Sequence, residues 1–169
     1  MPTTLQRALR HVFYDDWAVR RRFPRHTLEA IDREITVNER RHSGEIVFAV
    51  ESSLRLRELR ETEGPRDRAI DVFSLLRVWD TEHNNGVLIY VLLADRRVEI
   101  VADRGIHRQV GAQAWETICG LMQQEFRAGR FHEGAIIGVH AVSDLLAAHY
   151  PWTEGDVNEL ANEPVIIRR

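Results

Sequence analysis

A run of apolar residues in the middle of the chain constrains the fold more than any other feature. Residues 86–93 read GVLIYVLL, so no charged or amide side chain interrupts the run. A strand with one wet face alternates apolar and polar residues, whereas this run has no polar face. The run therefore predicts a β-strand that is covered on both sides, as in a sheet that has helices on each face.

The flanking segments predict the rest of the sheet. A tight, charged connection leads from the central run into a second apolar segment over 98–102, which predicts an antiparallel hairpin. An earlier strand is predicted over 45–50, and a helix over 65–76 joins it to the central run. Such a strand–helix–strand unit has parallel strands and a right-handed crossover. Residues 164–167 are a candidate for a short edge strand.

Amphipathic spacing predicts helices in most of the remaining chain. The predicted architecture is a three-layer α/β/α sandwich with a mixed sheet, a βαβ unit plus an antiparallel hairpin, and two extra N-terminal helices. Three tryptophans, Trp17, Trp79 and Trp115, fall on or beside apolar stripes, and we expect them in the core. The predicted helices cover residues 3–22, 27–42, 106–126 and 134–149.

Charge and composition exclude several classes of function. The 169 residues carry 23 basic and 26 acidic side chains, a net charge of −3, which argues against a nucleic-acid binder. Every basic residue is arginine, so Schiff-base chemistry and a phosphate-loop lysine are excluded. The chain shows no export signal and no apolar stretch of the ~20 residues that a membrane span needs, so we expect a cytoplasmic protein. The one cysteine, Cys119, lies on an apolar stripe and is interpreted as a buried structural thiol.

Polar side chains converge at one edge of the predicted sheet. Parallel pairing places the starts of the first two strands together, and the hairpin returns the end of the third strand to the same edge. Segments 42–45, 80–85 and 103–105 therefore meet there. Carboxylate and amide oxygens are the ligands that calcium and magnesium prefer. The oxygen donors are Glu45, Asp80, Glu82, Asn84, Asn85 and Asp103, and the predicted metal ligands among them are Asp80, Glu82, Asn85 and Asp103.

Each of these residues also has a structural interpretation. Asp80 would end the preceding helix, and Asn84 and Asn85 would form a turn before the strand. Asp103 would pair with a neighbouring arginine. The opposite edge of the sheet gathers Glu51, Asp95 and Arg96, and carboxylates at strand ends are usually solvated, so this edge ranks second. An arginine-rich run over 20–25 would contact anionic groups or form a solvated helix end.

Three segments together resemble the TPM-domain family. They are RHSGEIVFAVE (41–51), the stretch from RDRAIDVF to EIVADRGI (66–106), and FRAGRFHEGAIIGV (126–139). The resemblance covers about residues 27–151, which leaves an N-terminal amphipathic helix in 1–26 and a tail in 152–169. The chain is most similar to the short bacterial branch that lacks a signal peptide and a membrane anchor.

The resemblance implies an α/β/α sandwich and several distinct roles. Some family members are acid phosphatases, some bind calcium, and others are accessory subunits in membrane-protein maintenance or assembly. Asp80, Glu82, Asn85 and Asp103 are the positions here that match the acidic site, with Arg104 as a phosphate contact.

Two hypotheses of function follow. The first is a non-enzymatic accessory or interaction module that docks an unknown protein partner, membrane-associated or not, through its N-terminal helices and carries a calcium or magnesium site. The second is a weak metal-assisted phosphatase acting on phosphomonoesters, with Asp80, Asp103 and Arg104 as its catalytic residues.

Overall fold

A mixed four-stranded sheet organises the chain. The computed structural model describes Arg7, His11 and residues 16–55, 58–59 and 64–168. The strands are β1 (Glu45–Glu51), β2 (Gly86–Leu92), β3 (Arg97–Ala102) and β4 (Val165–Ile167), in the spatial order β3-β2-β1-β4. The helices are α1 (Asp16–Arg22), α2 (Arg25–Asn38), α3 (Pro65–Leu75), α4 (Arg104–Val110), α5 (Ala112–Arg127) and α6 (Phe131–His149).

The central run forms the strand that the sequence predicts. Every residue of β2 is buried, and so is every residue of β1. These two strands pair in parallel, whereas β2 and β3 pair antiparallel as a hairpin. The tail adds β4 parallel to the end of β1, so the predicted edge strand is also present. The predicted α/β fold class with its mixed sheet is confirmed.

Alternation along the strands divides the core into two layers. Ile46, Phe48 and Val50 of β1 point to a layer covered by α1, α2, α5 and α6. Val47 and Ala49 point to the other layer, which α3 and part of the C-terminal tail cover. The N-terminal region belongs to the larger layer, because Phe23 is buried there with its ring 5.9 Å from that of Phe126.

The prediction of one continuous helix over 106–126 is wrong, because Gly111 divides this segment into two helices. Gly111 has a φ of 80°, a conformation that glycine adopts readily, and it ends α4 and begins α5. The predicted helix over 3–22 is described only in part, since residues 1–6, 8–10 and 12–15 lie outside the described residues.

Two of the three tryptophans expected in the core lie at the surface. Trp17 is 62% exposed and Trp79 is 48% exposed, while Trp115 is 4% exposed as expected. In α1 the buried positions are Ala18 and Val19, so Trp17 falls at the border of the apolar stripe. Across the described residues, no helix combines the length and the apolar character needed to cross a membrane.

Candidate functional site

Backbone pairing brings the three predicted segments to one edge of the sheet. Glu45 and Gly86 are partners at the start of the parallel strands. The Asp103 N–H donates to the Gly86 carbonyl over 2.8 Å, and the Ile106 N–H donates to the Asn84 carbonyl over 3.2 Å. We call this the amino-terminal edge: Glu45, the loop over 80–85, and residues 103–105.

Close backbone approach at this edge depends on Gly105. A Cβ at this position would lie 2.4 Å from the Asn84 carbonyl oxygen and 2.8 Å from the Tyr150 hydroxyl. Since the Asn84 oxygen belongs to the backbone, it cannot rotate away as a flexible side chain would. Glycine therefore allows α4 to begin directly against the loop over 80–85.

Protein groups already engage two of the predicted catalytic side chains. Asp103 caps α4, because its carboxylate accepts the Arg104 N–H over 2.6 Å. Asp80 pairs with Arg77, whose Nη2 donates to its Oδ2 over 2.5 Å. Asp103 therefore caps α4, and its role as a metal ligand or catalytic residue stays a prediction. Asp80 is paired with the exposed side chain of Arg77.

Asn85 and Asp103 each keep one oxygen without a hydrogen-bond partner. The buried Asn85 donates its Nδ2 to the Ser43 carbonyl over 2.9 Å, and its own N–H contacts the Thr81 hydroxyl over 3.2 Å. Its Oδ1 is buried and has no partner, and the same holds for Oδ2 of Asp103. Buried polar atoms usually have a partner, so these two oxygens are suited to accept a further group.

The four predicted metal ligands are not gathered around one point. Within the described part of the chain, no group of three or more histidine, cysteine, aspartate or glutamate side chains is placed to hold a metal ion. Asp80, Glu82 and Asp103 all belong to that part. The partnerless oxygens of Asn85 and Asp103 are the observation that favours a cation at this edge, and the four-residue ligand set stays a prediction.

Glu45 holds the C-terminal tail at this edge. Its two carboxylate oxygens accept the N–H groups of Glu159 and Leu160 over 2.9 and 3.3 Å. Burial raises the pKa of Glu45 to about 7, and the nearby carboxylates of Glu39 and Glu159 act in the same direction. The sequence identified Glu45 as an oxygen donor but did not predict this contact. The donors are backbone N–H groups, so the residue types at these positions do not indicate the contact.

A surface cleft of about 490 Å³ opens beside the capped helix. Arg104 and Arg108 lie one turn apart on α4 and both are exposed. Asp103 and Trp79 also line the cleft. It therefore combines two arginine cations, the carboxylate that caps α4 and an exposed aromatic ring. This arrangement can bind an anion through charge-assisted hydrogen bonds.

The opposite edge of the sheet, with Glu51 and Asp95, is called the carboxyl-terminal edge. Its carboxylates are not solvated, contrary to the expectation. Glu51, the last residue of β1, is buried and accepts two hydrogen bonds from Arg68 of α3, at 2.8 and 3.0 Å. The Tyr90 hydroxyl also donates to Glu51. Asp95 accepts a hydrogen bond from Arg7 at 2.8 Å and contacts His11 Nε2 at 3.0 Å. Partners that are distant in sequence cover both carboxylates, which strand-end position alone could not indicate.

Cys119 is buried, in agreement with its interpretation as a structural thiol. Burial raises its pKa to about 12. A thiol with such a pKa stays protonated at neutral pH and is a poor nucleophile.

Comparison with known proteins identifies the family and supports the fold. One similar protein is BA42 from the psychrophilic bacterium Bizionia argentinensis, whose structure was solved by NMR. Its sequence is 32% identical to that of this chain. The match covers 84% of this chain and 93% of that one, with a TM-score of 0.74. The N-terminal domain of a P. gingivalis protein is 20% identical over 77% of this chain and 82% of its own, with a TM-score of 0.59. At that identity it supports the fold alone.

No curated protein matches this chain. The family model described as the TPM domain matches residues 22–145, which is most of the chain and includes β1, β2 and β3. The sequence resemblance drawn from the three segments is thereby confirmed. The chain belongs to the TPM-domain family.

Proposed function

We propose that this protein is a non-enzymatic accessory module that docks a protein partner through its N-terminal helices. The observation that carries the proposal is Trp17, a large aromatic side chain exposed on a helix whose other face is anchored in the core. Ala18 and Val19 on the same helix are buried, and Phe23 at its end packs among aromatic rings. The ring of Trp17 is therefore presented to solvent by a fixed support.

The residues around Trp17 are typical of the centre of a protein interface. The Arg21 guanidinium lies 5.3 Å from the centroid of the Trp17 ring. Tryptophan and arginine are the residues most enriched where interfaces derive their binding energy. Arg20 is also exposed, whereas Arg25 is exposed but paired with Glu29 over 2.7 Å. Arg20 and Arg21 make the surface beside Trp17 basic, which would suit a partner with an acidic, partly apolar docking segment.

The test must keep the N-terminal helices in place. Removing residues 1–26 would take Phe23 out of the core, so such a deletion would confound docking with unfolding. A photo-reactive amino acid at position 17 of the full chain, expressed in its host, is therefore the better probe. The matched control carries the same group at position 33, which is exposed on α2.

We expect one dominant protein adduct from position 17, which the added substitution Arg21→Glu abolishes, and no such adduct from position 33. The same adducts from both positions would contradict the proposal. Sedimentation with vesicles of phosphatidylglycerol and phosphatidylcholine, lost in Trp17→Ala, would instead identify a membrane surface as the docking partner.

A calcium or magnesium ion at the amino-terminal edge is the second part of the proposal. The free oxygens of Asn85 and Asp103 support it, and Asp80 and Glu82 are the remaining candidate ligands. Calorimetric titration with each ion should give heat for the native chain and much less for Asp103→Ala and Asp80→Ala. Equal and negligible heats in all three proteins would remove the cation from the proposal.

The cleft beside α4 favours one alternative, a weak metal-assisted acid phosphatase. Arg104 and Arg108 could hold the phosphoryl oxygens of a phosphomonoester, with Asp103 beside them in the lining of the cleft. Asp80, the other predicted catalytic carboxylate, does not line this cleft. A bound divalent ion would supply Lewis-acid chemistry there. Hydrolysis of p-nitrophenyl phosphate that falls at least tenfold in Arg104→Gln would favour the phosphatase. Absence of cation-dependent hydrolysis in the native chain would favour the accessory module.

A further inference from the structure

We propose that a second cleft, at the carboxyl-terminal edge of the sheet, binds a small organic anion that carries an apolar group. We call it the arginine cleft. It has a volume of about 390 Å³ and lies where the end of β2, the turn before β3 and the junction of α5 with α6 meet. Its basic residues are Arg22, Arg96, Arg97 and Arg127.

The charge of the arginine cleft is not balanced by its own lining. Of the aspartates and glutamates that the structure describes, none lines it. Among the residues that the structure describes, Arg96 and Arg127 are exposed and form no ion pair. The nearest acidic neighbour in sequence, Asp95, is engaged with Arg7 and His11. The cleft therefore presents cationic groups to solvent, and an anion would satisfy them.

The other wall of the arginine cleft is apolar. The rings of Phe126 and Phe131 stack at 5.0 Å with an interplanar angle of 19°, and both are only partly buried. The Arg22 guanidinium lies 5.7 Å from the centroid of the Phe131 ring. Val91 and Leu93, at the end of β2, also line the cleft. A ligand with an alkyl or aryl group would bury that group against these side chains.

The backbone at Arg96 is a second, independent observation. Arg96 has a φ of 53°, in the left-handed region where arginine is uncommon and glycine or asparagine is typical. Its N–H donates to the Leu93 carbonyl over 3.1 Å, which fixes the turn. The turn between β2 and β3 therefore holds Arg96 in place in the lining of the cleft.

Position and size favour a small molecule over a protein or a membrane. In open α/β sheets, ligands bind outside the carboxyl ends of the parallel strands, and the arginine cleft lies beyond the end of β2. Its volume falls within the range of small-molecule sites. We therefore assign it to a small organic anion with a short alkyl or aryl group, for which hexyl phosphate serves as the probe.

Calorimetric titration of the full chain with hexyl phosphate, inorganic phosphate and hexanol tests this assignment. We expect hexyl phosphate to bind, inorganic phosphate to bind at least tenfold more weakly, and hexanol to give no measurable heat. The double variant Arg96→Asn/Arg127→Gln should weaken hexyl phosphate at least tenfold, because both unpaired cations are lost. Asparagine tolerates the left-handed conformation, so the fold should be retained.

The matched control is Arg33→Gln/Arg40→Gln, which removes the same charge from exposed positions on and beside α2. It should bind hexyl phosphate with unchanged affinity. Shifts of the amide resonances of Leu93 and Gly129 during the titration would place the ligand in the arginine cleft. No binding of hexyl phosphate, equal affinity in both double variants, or shifts confined to the α4 cleft would each overturn the proposal.

Discussion

The two edges of the sheet hold carboxylates in equivalent positions but treat them in opposite ways. At the carboxyl-terminal edge, Glu51 and Asp95 are each bound by arginine, and Asp95 also contacts His11. At the amino-terminal edge, Glu45 is as buried as Glu51, and within the described part of the chain it is bound by two backbone N–H groups and by no cation. At the carboxyl-terminal edge, arginine side chains therefore pair with the buried carboxylates, and further arginines line the cleft beside them. At the amino-terminal edge, the described residues place no arginine against the buried carboxylate of Glu45.

The pKa values of Asp95 and Glu45 express this difference. Burial alone would raise both. For Asp95, hydrogen bonds from His11 and Arg7 outweigh burial and lower the pKa to about 2. For Glu45, two backbone hydrogen bonds do not outweigh burial, and the pKa rises to about 7. The comparison teaches that the charge of the partner, more than the depth of burial, decides the state of a strand-end carboxylate.

The strongest way to break the comparison is to remove the cation from the carboxyl-terminal edge. Arg68→Met would leave the Glu51 carboxylate buried without its charged partner. Breaking a buried pair in this way costs about 3–5 kcal/mol of unfolding free energy. Urea unfolding measures the loss, and the double variant Arg68→Met/Glu51→Gln should recover part of it. Recovery of nothing would show that Arg68 acts by packing and not by charge.

The next largest effect is expected at Glu45, as a dependence on pH. The folded state holds the Glu45 proton up to about pH 7, whereas the unfolded chain releases it near the ordinary glutamate pKa of 4.5. Stability contributed by this group is therefore present below pH 4.5 and is lost as the pH rises toward 7 and above. The loss should be about 3 kcal/mol by linkage.

Urea unfolding of Glu45→Gln at pH 5 and pH 8 measures this effect, because the variant lacks the titrating group. The native chain should lose stability relative to the variant between these two values. A parallel pH dependence of both proteins would contradict a raised pKa at Glu45.

Asp95 should show the opposite sign. Its folded pKa of about 2 lies below the ordinary aspartate value of 3.8, so its stabilisation is present above pH 3.8 and is lost as the pH falls toward 2. Asp95→Asn should cost about 2 kcal/mol at neutral pH and less under acid conditions. Unfolding followed by circular dichroism at pH 7 and pH 2.5 checks this. An equal cost at both values would mean that the hydrogen bonds, and not the charge, stabilise Asp95.

The smallest effect is expected at Asp80, on the amino-terminal edge. Its ion pair with Arg77 is open to water, with the two side chains 49% and 68% exposed. Exposed pairs contribute about 0–1 kcal/mol. Asp80→Asn should therefore leave urea unfolding almost unchanged, in contrast to Arg68→Met. A loss of comparable size would show that the two edges are energetically alike.

The sequence predicted the sheet because burial on both faces leaves a local mark. An uninterrupted apolar run such as that of β2 can only be a strand between two layers, and the hairpin follows from its short charged turn. The same topology placed Asp103 beside the loop over 80–85, where the structure has it. The exposure of Trp17 and Trp79 could not be predicted. Trp17 lies at the border of an apolar stripe on α1, where a small helix rotation decides burial, and Trp79 lies in the turn after α3, where the helical spacing no longer applies.

What the sequence by itself determined is the order of the elements, the mixed sheet and the family, all of which depend on periodicity and on short motifs along the chain. Only the tertiary structure decided which carboxylates are neutralised. The partners of Asp95 and Glu51 come from Arg7, His11 and Arg68, and Glu45 is covered by the tail. The physical reason is that hydrogen bonds and ion pairs act over a few ångströms, between residues whose separation along the chain carries no information about their contact.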